Sequence, residues 1–319
     1  MNEILERIGK LGIVPVVKIE KAKDAIPLGK ALLEGDLPIA EITFRTSAAE
    51  DSIKALTDEL PELLVGAGTV LTIEQVKRAV AAGAKFIVSP GFNSKIVNYC
   101  LENNIVVTPG VNSPTQIEMA LEKGLEIVKF FPAEASGGLA ALKAMSAPYT
   151  MIKFIPTGGI NPANLLSYLT HPSVYACGGS WMVKPELISA GNFKEITAIS
   201  KEAVSTLLGF QLAHLGINEE NKENALDSAT LLSQIFNFPL KEGNSSVFAG
   251  SGVEIMKSKY LGEHGHIAIA TNDIQRAIAY LERKGVSILS ETAKESDGRL
   301  KSIYLDKEVS GFAIHLIQR

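Results

Sequence analysis

Apolar residues recur along the first two-thirds of the chain in eight short runs, at residues 13–19, 39–44, 63–70, 86–89, 105–108, 127–131, 154–157 and 174–177. Successive runs begin about 19 to 27 residues apart. Between them lie charged stretches with helical spacing, such as residues 48–60, 73–82, 94–102 and 114–123. Short apolar runs alternating with amphipathic helices predict β-then-α units, and eight of them predict an α/β fold, the (β/α)8 TIM barrel. The runs lack strict polar alternation, as expected of strands buried on both faces.

After a helical stretch at 192–208 the pattern changes. Residues 210–217 read as a strand, 223–236 as a helix, and 246–249 and 252–257 as strands; then 266–270 as a strand, 274–284 as a helix, and 286–289, 302–306 and 312–318 as strands. The order approaches β-α-β-β-β twice. His214-Leu-Gly-Ile aligns with His266-Ile-Ala-Ile, and Val253-Glu254-Ile with Ile314-His315-Leu, so an internal duplication is expected. The boundary falls near residues 208–210, giving a barrel over 1–208 and a smaller α+β domain of paired βαβββ modules over 209–319.

Composition narrows the function classes. Hydrophobic residues make up 46% and charged residues 21%, which supports packed cores and excludes wholesale disorder. The formal charge of −4 divides evenly about Gly209, so neither part suits a nucleic-acid backbone. No apolar run approaches the roughly 18 residues of a membrane span. The start, Met1-Asn2-Glu3-Ile4-Leu5-Glu6-Arg7, is charged and helical in pattern, unlike a signal peptide, and Cys100 and Cys177 form no metal-binding or disulfide spacing. A cytoplasmic protein without nucleic-acid or membrane partners is expected.

Several strands end in glycine, proline or polar residues, where barrels of this kind carry their active sites. Lys129 lies within Ile127-Val128-Lys129-Phe130-Phe131. An amine among so much apolar surface loses hydration, which favours its neutral form, and a neutral amine attacks ketones to form a Schiff base. The alternative is a lysine whose head snorkels to the rim. Period-two alternation places Glu41, Thr43 and Arg45 on one strand face, a carboxylate for proton transfer and a guanidinium for anions, or else a structural ion pair. Thr157-Gly158-Gly159-Ile160 and Gly178-Gly179-Ser180 follow the last two strands, where backbone amides surround phosphate in many barrels. Asn161-Pro162 is expected to open a helix there.

The motifs Glu41-Ile42-Thr43-Phe44-Arg45-Thr46, Val65-Gly66-Ala67-Gly68-Thr69-Val70, Ser89-Pro90-Gly91, Lys129-Phe130-Phe131-Pro132-Ala133-Glu134, Pro156-Thr157-Gly158-Gly159-Ile160 and Gly178-Gly179-Ser180-Trp181 occur in this order. In this set the chain resembles the 2-keto-3-deoxy-6-phosphogluconate (KDPG) aldolase / 4-hydroxy-2-oxoglutarate aldolase family over roughly residues 1–208. The resemblance implies a class I aldolase, usually a homotrimer, acting on a small 2-keto acid without a cofactor. It implies Lys129 as the Schiff-base lysine and Glu41 as the acid/base. Arg45, Thr69, Pro90 and Phe131 then match the pyruvate-end pocket, and Gly158, Gly159 and Ser180 the phosphate site, with Thr157 and Gly179 also expected to bind substrate. The implied reactions split KDPG into pyruvate and glyceraldehyde 3-phosphate, and 4-hydroxy-2-oxoglutarate into pyruvate and glyoxylate. Two alternatives are an aldolase for another 2-keto-3-deoxy sugar acid and a catalytically silent sugar-phosphate sensor.

The second part resembles the glyoxalase / vicinal-oxygen-chelate superfamily more loosely. That resemblance implies metal ligands at His214, Glu254, His266 and His315, although His315 stands where a carboxylate is usual. Such a set suits a divalent transition metal. The alternative is a relic fold that serves assembly or ligand binding.

Overall fold

The computed structural model describes residues 2–319, leaving only Met1 of the charged N-terminal stretch outside. Its contacts divide the chain into two units, one running to Leu207 and one from Leu208 to Arg319.

The first unit opens with helix α1 (Glu3–Leu11) and strand β1 (Ile13–Val17). Helix and strand then alternate through α2 (Ala25–Glu34), β2 (Ile39–Thr43), α3 (Ala49–Glu59), β3 (Leu64–Gly68), α4 (Ile73–Ala81), β4 (Phe86–Val88) and α5 (Ser94–Glu102). The series continues with β5 (Val106–Thr108), β6 (Gly110–Val111), α6 (Pro114–Glu122), β7 (Ile127–Phe130), α7 (Gly138–Ser146), β8 (Lys153–Pro156), α8 (Leu165–Leu169), β9 (Cys177–Gly179), α9 (Pro185–Ser189) and α10 (Phe193–Leu208). Side-chain oxygens cap several helix starts, including Thr72 on α4, Asn93 on α5 and Ser113 on α6, where Pro114 occupies the first turn.

All strand pairs of this unit are parallel. One sheet runs β5-β4-β3-β2-β1-β9 and another β6-β7-β8. Bridges Phe154–Val174 and Thr157–Gly178 join β8 to β9. The remaining seam is the fifth strand itself, which Pro109 divides into β5 and β6. Proline has no amide hydrogen for the ladder, so the strand pairs with β4 before Pro109 and with β7 after it. The ring of the TIM-like barrel is thus complete, with a fifth strand that runs beyond the apolar stretch 105–108. Strands β2 and β3 are buried at every position.

The second unit contains β10 (Gln211–Asn218), α11 (Lys222–Phe236), β11 (Leu240–Glu242), β12 (Ser246–Ala249) and β13 (Val253–Met256). It then repeats the order with β14 (Gly265–Thr271), α12 (Ile274–Arg283), β15 (Ile288–Ser296), β16 (Arg299–Val309) and β17 (Phe312–Gln318). Each module pairs its first strand in parallel with its own last strand, and the modules meet through antiparallel β10 and β14. One eight-stranded sheet results. Two features escaped the apolar pattern. Strand β11 is exposed throughout, and β15 and β16 extend as an exposed hairpin well beyond 286–289 and 302–306. Pairing there is held by backbone hydrogen bonds, which leave no hydrophobic signature.

Candidate active site in the barrel

Strand β7 carries Lys129 between Val128 and Phe130, and every residue of the strand is buried. Lys129 is 5% exposed. Its Nζ lies 3.5 Å from Oε1 of Glu41 on β2, which is 3% exposed. It also lies 5.1 Å from the ring centre of Phe131. Glu41 reaches this place because Gly68 of β3 has no side chain. A Cβ at Gly68 would stand 2.0 Å from Glu41 Oε1. Two residues along β2, Thr43 donates from Oγ1 to the carbonyl of Val17 at 2.7 Å.

Two cavities lie here. A small inner one, about 10 Å³, is lined by Glu41, Lys129, Thr108 and Thr157, closed by Ile8 of α1 and apolar barrel residues. An outer one of about 310 Å³ is lined by Lys18, Thr43, Arg45, Phe131, Ile160, Thr157 to Gly159 and Gly178 to Ser180. Thr157 belongs to both walls. The outer cavity favours anions. Arg45 and Lys18 face it. Among the described residues, the amides of Gly159 and Ile160 have no acceptor. Free successive amides are a common anion cradle.

Most of the sequence-derived site residues therefore converge on these walls. Thr69 joins them indirectly, since its Oγ1 accepts from Arg45 Nε at 3.1 Å. Pro90 lines neither cavity; its carbonyl packs against Gly110, where a Cβ would stand 2.1 Å away. The expected helix at Asn161-Pro162 begins only at Leu165 and has five residues. Asn161 Oδ1 accepts from the Ala163 amide, and Asn164 Oδ1 from the Asn161 amide. Such local side-chain bonds compete with helix formation. Both asparagines instead donate to the Gly159 carbonyl at 3.1 Å.

Sequence reading missed Lys18. Register pairs Val16 with Glu41, so Lys18 lies one side-chain layer, about 7 Å, nearer the mouth. The signal was present, since Lys18 shares the period-two face of Val14 and Val16 in the first apolar run. At present it pairs with Glu20 at 2.7 Å, a half-exposed contact of small energetic weight.

The family model for KDPG and KHG aldolases matches residues 4–199. The chain belongs to this family. A 2-dehydro-3-deoxy-phosphogluconate aldolase of Treponema pallidum is 48% identical over 204 residues, covering 64% of this chain and 97% of that protein. A KHG/KDPG aldolase of Escherichia coli K12 is 42% identical over 192 residues, covering 60% of this chain and 90% of that protein. The KDPG aldolase of Legionella pneumophila, solved with pyruvate captured at low pH as a covalent carbinolamine intermediate, is 38% identical with a TM-score of 0.61. That match covers 63% of this chain and 98% of the other. With the family comes the enzyme class: the chain is an aldolase, a carbon–carbon lyase.

A second cluster occupies the sheet of the C-terminal unit. His214 and His266 approach each other with Nε2 atoms 3.2 Å apart, and each lies 3.1 Å from Glu254 Oε2. Nitrogens of His214, His266 and His315 all fall within 4.8 Å of one another. Gly216 leaves room for His266, whose ring carbon would lie 2.1 Å from an added Cβ. Burial alone would raise the Glu254 pKa, but bonds from His214, His266 and Ser246 outweigh it and hold the carboxyl well below its usual range. Burial and the neighbouring His266 and His214 push His315 down to about 3. Both ring nitrogens of His315 are buried without a hydrogen-bond partner among the described residues, while its ring stacks on Tyr304 at 4.7 Å.

Proposed function

We propose that this aldolase cleaves KDPG to pyruvate and glyceraldehyde 3-phosphate, and 4-hydroxy-2-oxoglutarate to pyruvate and glyoxylate, through an imine on Lys129. One observation carries the reading. A buried lysine faces a buried carboxylate at 3.5 Å in a small inner cavity, which shares Thr157 with an outer cavity lined by Lys18, Arg45 and the Gly158-Gly159 loop. The names of the relatives from Treponema and Escherichia, and the pyruvate carbinolamine in the Legionella enzyme, support it.

In this reading the Lys129 amine adds to the C2 ketone and water leaves, giving a protonated imine. Glu41, directly or through a water, takes the proton of the C4 hydroxyl. The C3–C4 bond then breaks, its electrons flow to the imine, and an enamine and an aldehyde result. Glu41 returns a proton to C3, and water releases pyruvate from Lys129. The imine is the electron sink, so the cleavage calls for no metal or organic cofactor. Arg45, Thr69 and Phe131 belong to the pyruvate end, with Pro90 supporting it from outside the wall. Thr157, Gly158, Gly159, Gly179 and Ser180 hold the distal anion, aided by Lys18. Residues 1–208 are the catalytic barrel, working as a homotrimer in the cytoplasm. A substrate panel with borohydride trapping tests the reading. Efficient cleavage of a different sugar acid, with KDPG inert, would overturn the substrate, and sedimentation as a monomer would overturn the assembly.

Residues 209–319 are read as a glyoxalase-like module with a divalent metal site. The duplicated β-α-β-β-β order supports this, as does the meeting of one ligand-bearing residue from each of four strands. The donors fit the ion. Tetrahedral ligands at about 2.0–2.2 Å from zinc stand about 3.3–3.6 Å apart, close to the 3.1 and 3.2 Å seen between Glu254, His214 and His266. One partnerless ring nitrogen of His315, in a group whose histidine nitrogens lie within 4.8 Å of one another, would supply the fourth ligand. Bound there, a metal would act as a Lewis acid on an oxygen ligand.

A further inference from the structure

Four residues past the reacting strand, Glu134 packs against the glycine loop. Past β7 the chain passes Phe131 and Pro132 and turns beneath the glycine loop that follows β8. The Ala133 amide donates to the carbonyl of Thr157 at 2.8 Å, and the Glu134 amide to that of Gly158 at 3.0 Å. The Glu134 side chain then fills the place that a side chain on Gly159 would take. A Cβ built on Gly159 would lie 2.5 Å from Glu134 Cγ and 2.6 Å from its Cβ. The carboxylate is tied at its far end by the hydroxyl of Tyr168, which donates to Oε1. Tyr168 is buried at 1% exposure, and burial followed by the bond to Glu134 raises its pKa well above the ordinary phenol value. Tyr168 sits on α8, so the contact fastens the loop between β8 and α8 to the strand end that carries Lys129.

We propose that Glu134, anchored by Tyr168, is the positioning residue that keeps the amide of Gly159 aimed at the distal anion of the substrate. Both glycines hold positive φ, 97° and 84°, a backbone with little intrinsic preference for one arrangement. The Gly159 carbonyl is pinned by Asn161 and Asn164 on the far side. On the near side the packing is supplied by Glu134. A carboxylate beside an anion site would weaken binding through its charge, so the contribution is steric and directional, with the charge turned toward Tyr168.

This inference rests on the phosphate-end reading above, and the test separates the two. Steady-state constants are measured for KDPG and 4-hydroxy-2-oxoglutarate in Glu134→Ala, Glu134→Gln, Tyr168→Phe and Ser180→Ala, with borohydride trapping of pyruvate as the control for folding and for Lys129. Glu134→Ala is expected to raise KM for KDPG about tenfold, to change kcat little and to leave pyruvate trapping intact, the pattern of lost uniform binding. Glu134→Gln keeps an oxygen for Tyr168 and should restore most of the affinity. Tyr168→Phe should shift KM in the same direction as Glu134→Ala, which keeps the test open if the alanine variant folds poorly. Equal losses on both substrates, loss of trapping, or a glutamine variant as impaired as alanine would overturn the proposal. So would a lower KM in both Glu134 variants, because the carboxylate would then only repel the anion. If Ser180→Ala weakens KDPG and Glu134→Ala does not, the positioning role alone fails. If neither does, the phosphate-end reading fails and takes this inference with it.

Discussion

Glu41 Oε1 faces Lys129 Nζ across 3.5 Å in the interior of the barrel, and that oxygen has no hydrogen bond of ordinary geometry among the described residues. The two groups face each other without locking together. Removing one partner of such a buried pair costs about 3–5 kcal/mol, because the other is left unpaired. The gap also leaves each group free to reach a substrate atom.

Lys129→Ala should abolish borohydride-dependent addition of pyruvate and all turnover. Mass spectrometry of the trapped wild-type enzyme should place the adduct on the peptide containing Lys129. An adduct on another lysine would refute the assignment.

Glu41→Gln should still trap pyruvate while losing about 10²–10⁴-fold in turnover, the usual weight of general acid–base catalysis. Parallel loss of trapping and turnover would mean that Glu41 shapes the pocket rather than moves the proton.

Gly68→Ala tests the same carboxylate without touching it. The added methyl would meet Glu41 Oε1 at 2.0 Å, so the side chain must move. Turnover should fall toward that of Glu41→Gln with the fold retained by circular dichroism. Near wild-type rates would show that the position of Glu41 is not critical.

Ser180→Ala should weaken KDPG by roughly the value of one hydrogen bond to a charged group, about 1.5–3 kcal/mol. Cleavage of 4-hydroxy-2-oxoglutarate, which has no phosphate, should change much less. Matching effects on both substrates would contradict a phosphate role.

Protein soaked in zinc, nickel or iron and then desalted should retain about one ion per chain, and the His266→Ala variant should retain none. Chelation should leave aldolase turnover unchanged, because the imine chemistry on Lys129 has no metal step. Absence of stoichiometric metal by elemental analysis would leave the C-terminal unit without the proposed ligand role.

The alternation of apolar runs with amphipathic helices follows from burial on both faces, so the barrel strands were legible in the residues themselves. So was the repeated order of strands and helix after residue 210. Lys129 and Glu41 stood out because an amine and a carboxylate lay inside otherwise apolar strands. Tertiary structure decided which partner. The two residues lie 88 positions apart in sequence, and only the closed ring of strands, with Gly68 leaving space, brings their atoms to 3.5 Å. It also decided the break of the fifth strand at Pro109, since a ladder changes neighbours only where a neighbour exists. Lys18 carried a periodicity signal, but its access to the outer cavity depended on register with β2. The exposed hairpin of β15 and β16 and the role of Glu134 under Gly159 had no pattern to announce them. Hydrophobic periodicity records which residues leave water. It does not record which backbone bonds form at a surface, or which side chain fills the space another residue leaves empty.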